Sequence, residues 1–260
     1  MIIKLVVILF ILMLWVGEER GLISFGTLVF NGFIMIALIY FMADGINPYV
    51  VSFVAAVLIT YFTLVYQNGK NLKSISAVIS VIIVMAVLSF GIMWLVSQSH
   101  IVGYSEVDFV EEEAMFLSAD LHIVMNQVMV CVVLIGLLGA VMDTAIAITT
   151  AVFEVHRNNP ELELKELMQS GRNVGKDILG TTANTLLFAG MGELVMLFIW
   201  FNKLNHYTIS QLVNSKAFFQ EMIIIIVSNI GCILIIPISV LVISYMLKHK
   251  KTMVNEANAK

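Results

Sequence analysis

The chain has 260 residues, of which 60% are hydrophobic and 12% charged, and its mean hydropathy is +0.98. A soluble domain carries roughly 45–50% apolar and about 25% charged residues, so this composition excludes an ordinary cytosolic enzyme and a disordered chain. The 14 basic side chains are outnumbered by 18 acidic ones, which leaves no basic surface for nucleic acid. The chain reads as all-α: a polytopic helical transmembrane bundle of six or seven spans, forming one integral membrane domain over 1–260.

A membrane helix takes about 20 mostly apolar residues. The first apolar run, 5–16, is short. Lys4 before it resembles the start of a signal peptide, but Val16-Gly17-Glu18-Glu19 is no small-x-small cleavage site. The run is therefore expected to stay, as a short span or an interfacial segment. Spans follow near 22–43, 47–67 and 74–97. An acidic loop with Glu106, Asp108, Glu111, Glu112, Glu113 and Asp120 comes next, and Ser105-x-x-Asp108 has the spacing of a capping box. The next span lies near 122–150. The loop over 152–175 is expected to hold one short helix. Asn159 would cap it, Pro160 would open it, Glu161 and Glu163 suit its positive end, and Gly171 would stop it. Such a helix is either an elbow on the membrane surface or a docking site for a soluble partner. The last spans lie near 176–200 and 222–247, with Gly231 and Pro237 available to bend the final one.

The positive-inside rule sets the orientation. With seven spans, Arg20, Lys70, Lys73, Arg157, Lys165, Arg172, Lys176, Lys248, Lys250, Lys251 and Lys260 share one side, and Lys4, Lys203 and Lys216 the other. Eleven against three puts the C-terminus in the cytoplasm.

Ionisable residues within spans are costly and need a reason. Asp143 is the foremost. Gly136, Gly139, Asp143, Ala147, Thr150 and Glu154 recur every three or four residues and share a helix stripe, with Ala140 beside it. Small residues there (Gly136, Gly139, Ala140) let a neighbouring backbone approach. The expected neighbour is the next span, whose Thr181, Asn184, Thr185 and Phe188 lie on one face. Thr and Asn would offer donors to the carboxylate. Asp143 is then either an interhelical clamp or a relay for protons or substrate lined by Thr181, Asn184 and Thr185. Glu193 is a second acid, facing an outer vestibule or snorkelling to the surface. Lys176 and Asp177 read as an interfacial pair, and Asn31, Ser228 and Asn229 as helix-packing hydrogen bonders. His100 and His122 flank the acidic loop without the spacing of a metal site. Phosphate-binding and hydrolase signatures are absent from the sequence. No enzyme activity, cofactor or metal is expected. An intramembrane enzyme lacks a nucleophile–base pair.

Several blocks are similar to a known family. Gly139-Ala140-Val141-Met142-Asp143-Thr144-Ala145, Glu154-Val155, Asn159-Pro160, and the run from Ser170-Gly171-Arg172-Asn173 through Asp177 and Asn184 to Ala189 resemble the YibE/F-like family. So do Gly103-Tyr104-Ser105-Glu106 and Asn214-Ser215-Lys216-Ala217-Phe218. The size resembles the shorter, YibF-type member. The resemblance implies a multi-pass protein of the bacterial cytoplasmic membrane, in contact with membrane lipid and paired with a YibE-type paralogue or with itself as a homo-oligomer. It implies no activity. A Gly-rich span with an Asp, a charged elbow and a Thr-bearing span is also similar, more loosely, to the proton-coupled half-bundle of RND-type transporters. The leading expectation is a transporter or exporter subunit, proton-coupled through Asp143. The alternative is a scaffold or regulatory subunit of a hetero-oligomer. A wet cavity at Asp143 would mark the first, and a lipid-facing Gly/Ala groove the second.

Overall fold

The structure, a computed structural model, describes residues 1–99, 125–204 and 208–258. In chain order they form α1 (Ile2–Ala43), α2 (Pro48–Tyr61) continued by a π-helical turn (Phe62–Tyr66), α3 (Leu72–Ser99), α4 (Met125–Asn158), α5 (Leu164–Leu204), the short α6 (Ile209–Val213) and α7 (Lys216–Asn258). Among the described residues there is no strand, and six of the helices are long and apolar enough to cross a membrane. The acidic loop, the Ser105–Asp108 spacing, the Gly103–Glu106 segment, His100 and His122 lie outside the described residues.

The N-terminal run belongs to α1 and turns back on the first span. Helix α1 reverses at Glu18, whose φ of 48° and ψ of −127° are not helical. Phe10 and Phe25, on opposite sides of that point, meet in a tilted ring contact with centroids 4.7 Å apart. Gly21 lies against the Met13 carbonyl, where a Cβ would have no room. The arm before Glu18 therefore folds back beside the arm after it. At 1.5 Å per residue it reaches about 24 Å, short of the ~30 Å hydrocarbon core. The hairpin tip carries Glu18, Glu19 and Arg20, the charges that separate the two apolar runs.

Helix α2 starts where Asn47 accepts a hydrogen bond from the Tyr49 amide, with Pro48 at the first helical position. Two polar links tie α1 to the end of α2: Asn31 donates to Thr63 at 2.9 Å and Gln67 to Ser24 at 2.9 Å. Asn31 is thus a packing residue, as its position in a span suggested. Asn229 instead donates to the Ile225 carbonyl of its own helix, at 2.9 Å.

Helix α7 is the centre of the bundle and packs on α3, α4 and α5. Apolar burial alone does not hold helices together in lipid, because acyl tails are as apolar as leucine; close packing decides. The close contacts lie at glycines. A Cβ on Gly171 would fall 2.7 Å from Val152 and 2.9 Å from Val240, one on Gly175 2.4 Å from Ile236, and one on Gly190 2.2 Å from Ile225. These three seat α5 on α7. Gly231 of α7 sits 2.9 Å, by the same measure, from Val141 of α4.

Gly171 therefore does not end a helix. The short elbow helix expected from Asn159 to Gly171 is absent; α5 starts at Leu164 and runs unbroken to Leu204. Asn159 closes α4 instead, its amide donating to the Val155 carbonyl at 3.0 Å. Glu166 accepts from the Glu163 amide at 3.0 Å and so caps the new start. The Lys248 ammonium of α7 donates to the Leu162 carbonyl, which pins the elbow to the end of the bundle.

Candidate functional site

The α4 sequence places its buried residues on a broad face: Val133, Leu134, Leu137, Val141, Thr144, Ala145 and Ile148 all point into the core. The expected stripe lies on the opposite face. Gly136, Gly139, Asp143 and Ala147 are exposed, and Ala140, Thr150 and Glu154 are half-buried. The next residue, Thr144, points inward, donating to the Ala140 carbonyl at 2.8 Å and touching the Cys232 sulfur at 3.7 Å. The core face of α4 is thus held by α7, and Asp143 is left looking out.

The clamp expected from the sequence does not form among the described residues. Asp143 is not clamped within the chain: no hydrogen bond or ion pair joins it to any described residue. The proposed donors are also outward. Thr181, Asn184 and Thr185 are exposed. Thr181 donates to the Ile178 carbonyl and Thr185 to the Thr181 carbonyl, each at 2.9 Å, so both hydroxyls turn back onto α5. The helix-packing role assigned to the stripe is likewise narrower. Gly136 meets Ile224 of α7, 3.2 Å from its would-be Cβ, but Gly139 has nothing within 4 Å. The tight glycine seam runs through Gly171, Gly175, Gly190 and Gly231 instead.

Glu193 is exposed on the C-terminal part of α5, and Glu221 near the start of α7 lies close to it. Sequence reasoning missed Glu221 because the apolar run beginning at Met222 placed the span one residue beyond it. Lys176 and Asp177 are both exposed near the elbow end of α5. At that end of α4, Arg157 pairs with Glu154 at 2.8 Å.

Among the described residues, apolar grooves mark the bundle surface. One of about 620 Å³ lies between α5 and α7, one of about 520 Å³ between α1 and α4, and a smaller one of about 220 Å³ between α1 and α2. Asp143 lines none of them. The α1–α4 groove ends at Gly136, where the exposed stripe begins.

An all-helical chain with six membrane-long helices and an ionisable residue within one of them is a polytopic integral membrane protein. More narrowly, the chain belongs to the family described as YibE/F-like protein, whose model matches residues 5–249. No curated protein and no solved structure matches it.

Proposed function

We propose that this chain is a transporter or exporter subunit of a membrane assembly, and that Asp143 does its work at the boundary with a neighbouring subunit. One observation carries this reading: Asp143 lies well inside a span, is exposed, and has no hydrogen-bond or ion-pair partner among the described residues. A carboxyl group facing acyl tails is costly. It is retained where another protein, a substrate group or a proton meets it. Coupling to the proton gradient would follow from protonation of Asp143 in one state and release in another.

A second reading is a non-transporting scaffold or regulatory subunit that holds a paralogue. The single chain fits this reading by the marks set out above, since Asp143 lines none of the described grooves and the Gly/Ala stripe faces outward, as small residues do at contacts between membrane helices. The transport reading stands on the charge itself, which a packing contact does not need. Both readings fit a multi-pass protein of a bacterial cytoplasmic membrane with the C-terminus in the cytoplasm, and neither requires a cofactor. Proton flux separates them. The chain is reconstituted into liposomes, with and without the neighbouring paralogue, and internal pH is followed under an imposed gradient. Transport predicts a flux that Asp143→Asn abolishes; a flux equal to empty liposomes in every combination would leave the scaffold.

A further inference from the structure

We infer that a second copy of this chain covers the Asp143 face with the exposed face of its own α5. The inference rests on the reading that Asp143 works at a subunit boundary, and it names the occupant of that boundary.

The two faces match in register. On α4, Gly139 and Ala147 lie four residues either side of Asp143, and all three are exposed. On α5, Phe188 and Gly180 lie four residues either side of Asn184, and these three are also exposed. The two helices are joined by a short elbow and run in opposite senses. Two copies side by side in one membrane therefore set α4 of one antiparallel to α5 of the next, with neither copy inverted. Asn184 then lies opposite Asp143, Phe188 opposite Gly139, and Gly180 opposite Ala147.

Each pair is complementary. The Asn184 amide offers two hydrogens to a carboxylate that has no donor among the described residues of its own chain. The Phe188 ring is 72% exposed and meets Gly139, where nothing lies within 4 Å of a Cβ. Gly180 is equally open and lets Ala147 approach. In the same register Asp177 faces Thr150, whose hydroxyl can donate to it.

Depth agrees. The contacts of α7 with α4 (Cys232 with Thr144) and with α5 (Ile236 with Gly175, Ile225 with Gly190) put Asp143 near the level of Thr181. Asn184 is three residues further, about 4.5 Å of rise. Helical Cβ atoms lean toward the N-terminus. On antiparallel helices the side chains of Asp143 and Asn184 therefore lean toward each other, which closes the offset. Every copy carries both faces, so the contact is head-to-tail and generates a ring when the rotation closes.

The test is disulfide trapping between two differently tagged copies expressed together, one carrying Ala147→Cys and the other Gly180→Cys. Cys131 and Cys232 are buried, and both are replaced by alanine. If these backgrounds fail to fold, the native cysteines are kept and the linked peptides are read by mass spectrometry. The expected result is a mixed-tag dimer joined through 147 and 180. It should be missing when Phe90→Cys, on the exposed side of α3, replaces either partner, and lost on adding Gly139→Leu. A mixed-tag yield no higher than the Phe90→Cys control overturns the inference. So does a link between 147 and 180 inside one chain carrying both cysteines, which would mean that the faces close on each other. Flux lost in Asp143→Asn without the cross-link would sink the second copy and spare the transport reading. The cross-link with flux indifferent to Asp143→Asn would do the reverse.

Discussion

Gly175 on α5 sits against Ile236 on α7 so closely that a Cβ at position 175 would fall 2.4 Å from the isoleucine Cγ2. Gly139 on α4 is the converse, with nothing within 4 Å. Leucine at the two positions should therefore behave differently. Gly175→Leu forces α5 off α7 and should cost about 1–3 kcal/mol, the usual range for overpacking a close contact. Gly139→Leu should leave the stability of the single copy unchanged. Thermal unfolding of the two variants in mild detergent reads the difference. Pairing Gly175→Ala with Ile236→Ala should recover most of the loss caused by Gly175→Ala alone. Equal melting temperatures for both leucine variants would contradict the packing described.

Glu18 makes the sharp reversal in α1 with a positive φ of 48°, a region that a side chain disfavours and glycine does not. Glu18→Gly should keep the hairpin and stabilise it by roughly 1 kcal/mol, the lower end of the strain such a residue carries. Cysteines replacing Phe10 and Phe25, whose rings meet across the hairpin, should form a disulfide within the chain. A destabilised Glu18→Gly variant that no longer forms this disulfide would mean that the arm before Glu18 does not fold back.

The spans were legible because hydropathy over about 20 residues is a strong signal, and each apolar run from 22 onward became a helix. The same signal could not tell a hairpin from two separate helices at Glu18-Glu19-Arg20, since both need charges at that point. The stripe through Gly136, Gly139, Asp143 and Ala147 was legible as a periodicity. Its direction was not, because in a bilayer the face toward protein and the face toward lipid are both apolar, and spacing alone does not choose between them. Gly171 illustrates a further ambiguity. A glycine after an apolar turn reads equally as a helix stop or as a site of close packing, and only the positions of Val152 and Val240 decide for the second. The Thr181, Asn184 and Thr185 face was found as a polar surface on α5, but its hydroxyls satisfy themselves on their own helix. Nothing in the spacing distinguishes that from donation across an interface.

In the proposed assembly, the α4 face bearing Asp143 meets protein rather than lipid. Spin labels at Ala147→Cys and at Phe90→Cys, each in a membrane-reconstituted sample, test it through collision with oxygen, which concentrates in the acyl region. Phe90 is 74% exposed on α3 and serves as the lipid-facing reference. The account predicts that oxygen relaxes the label at 147 far less than the label at 90, and that adding Gly139→Leu raises it toward the reference. Equal oxygen accessibility at the two positions, unchanged by Gly139→Leu, would contradict it.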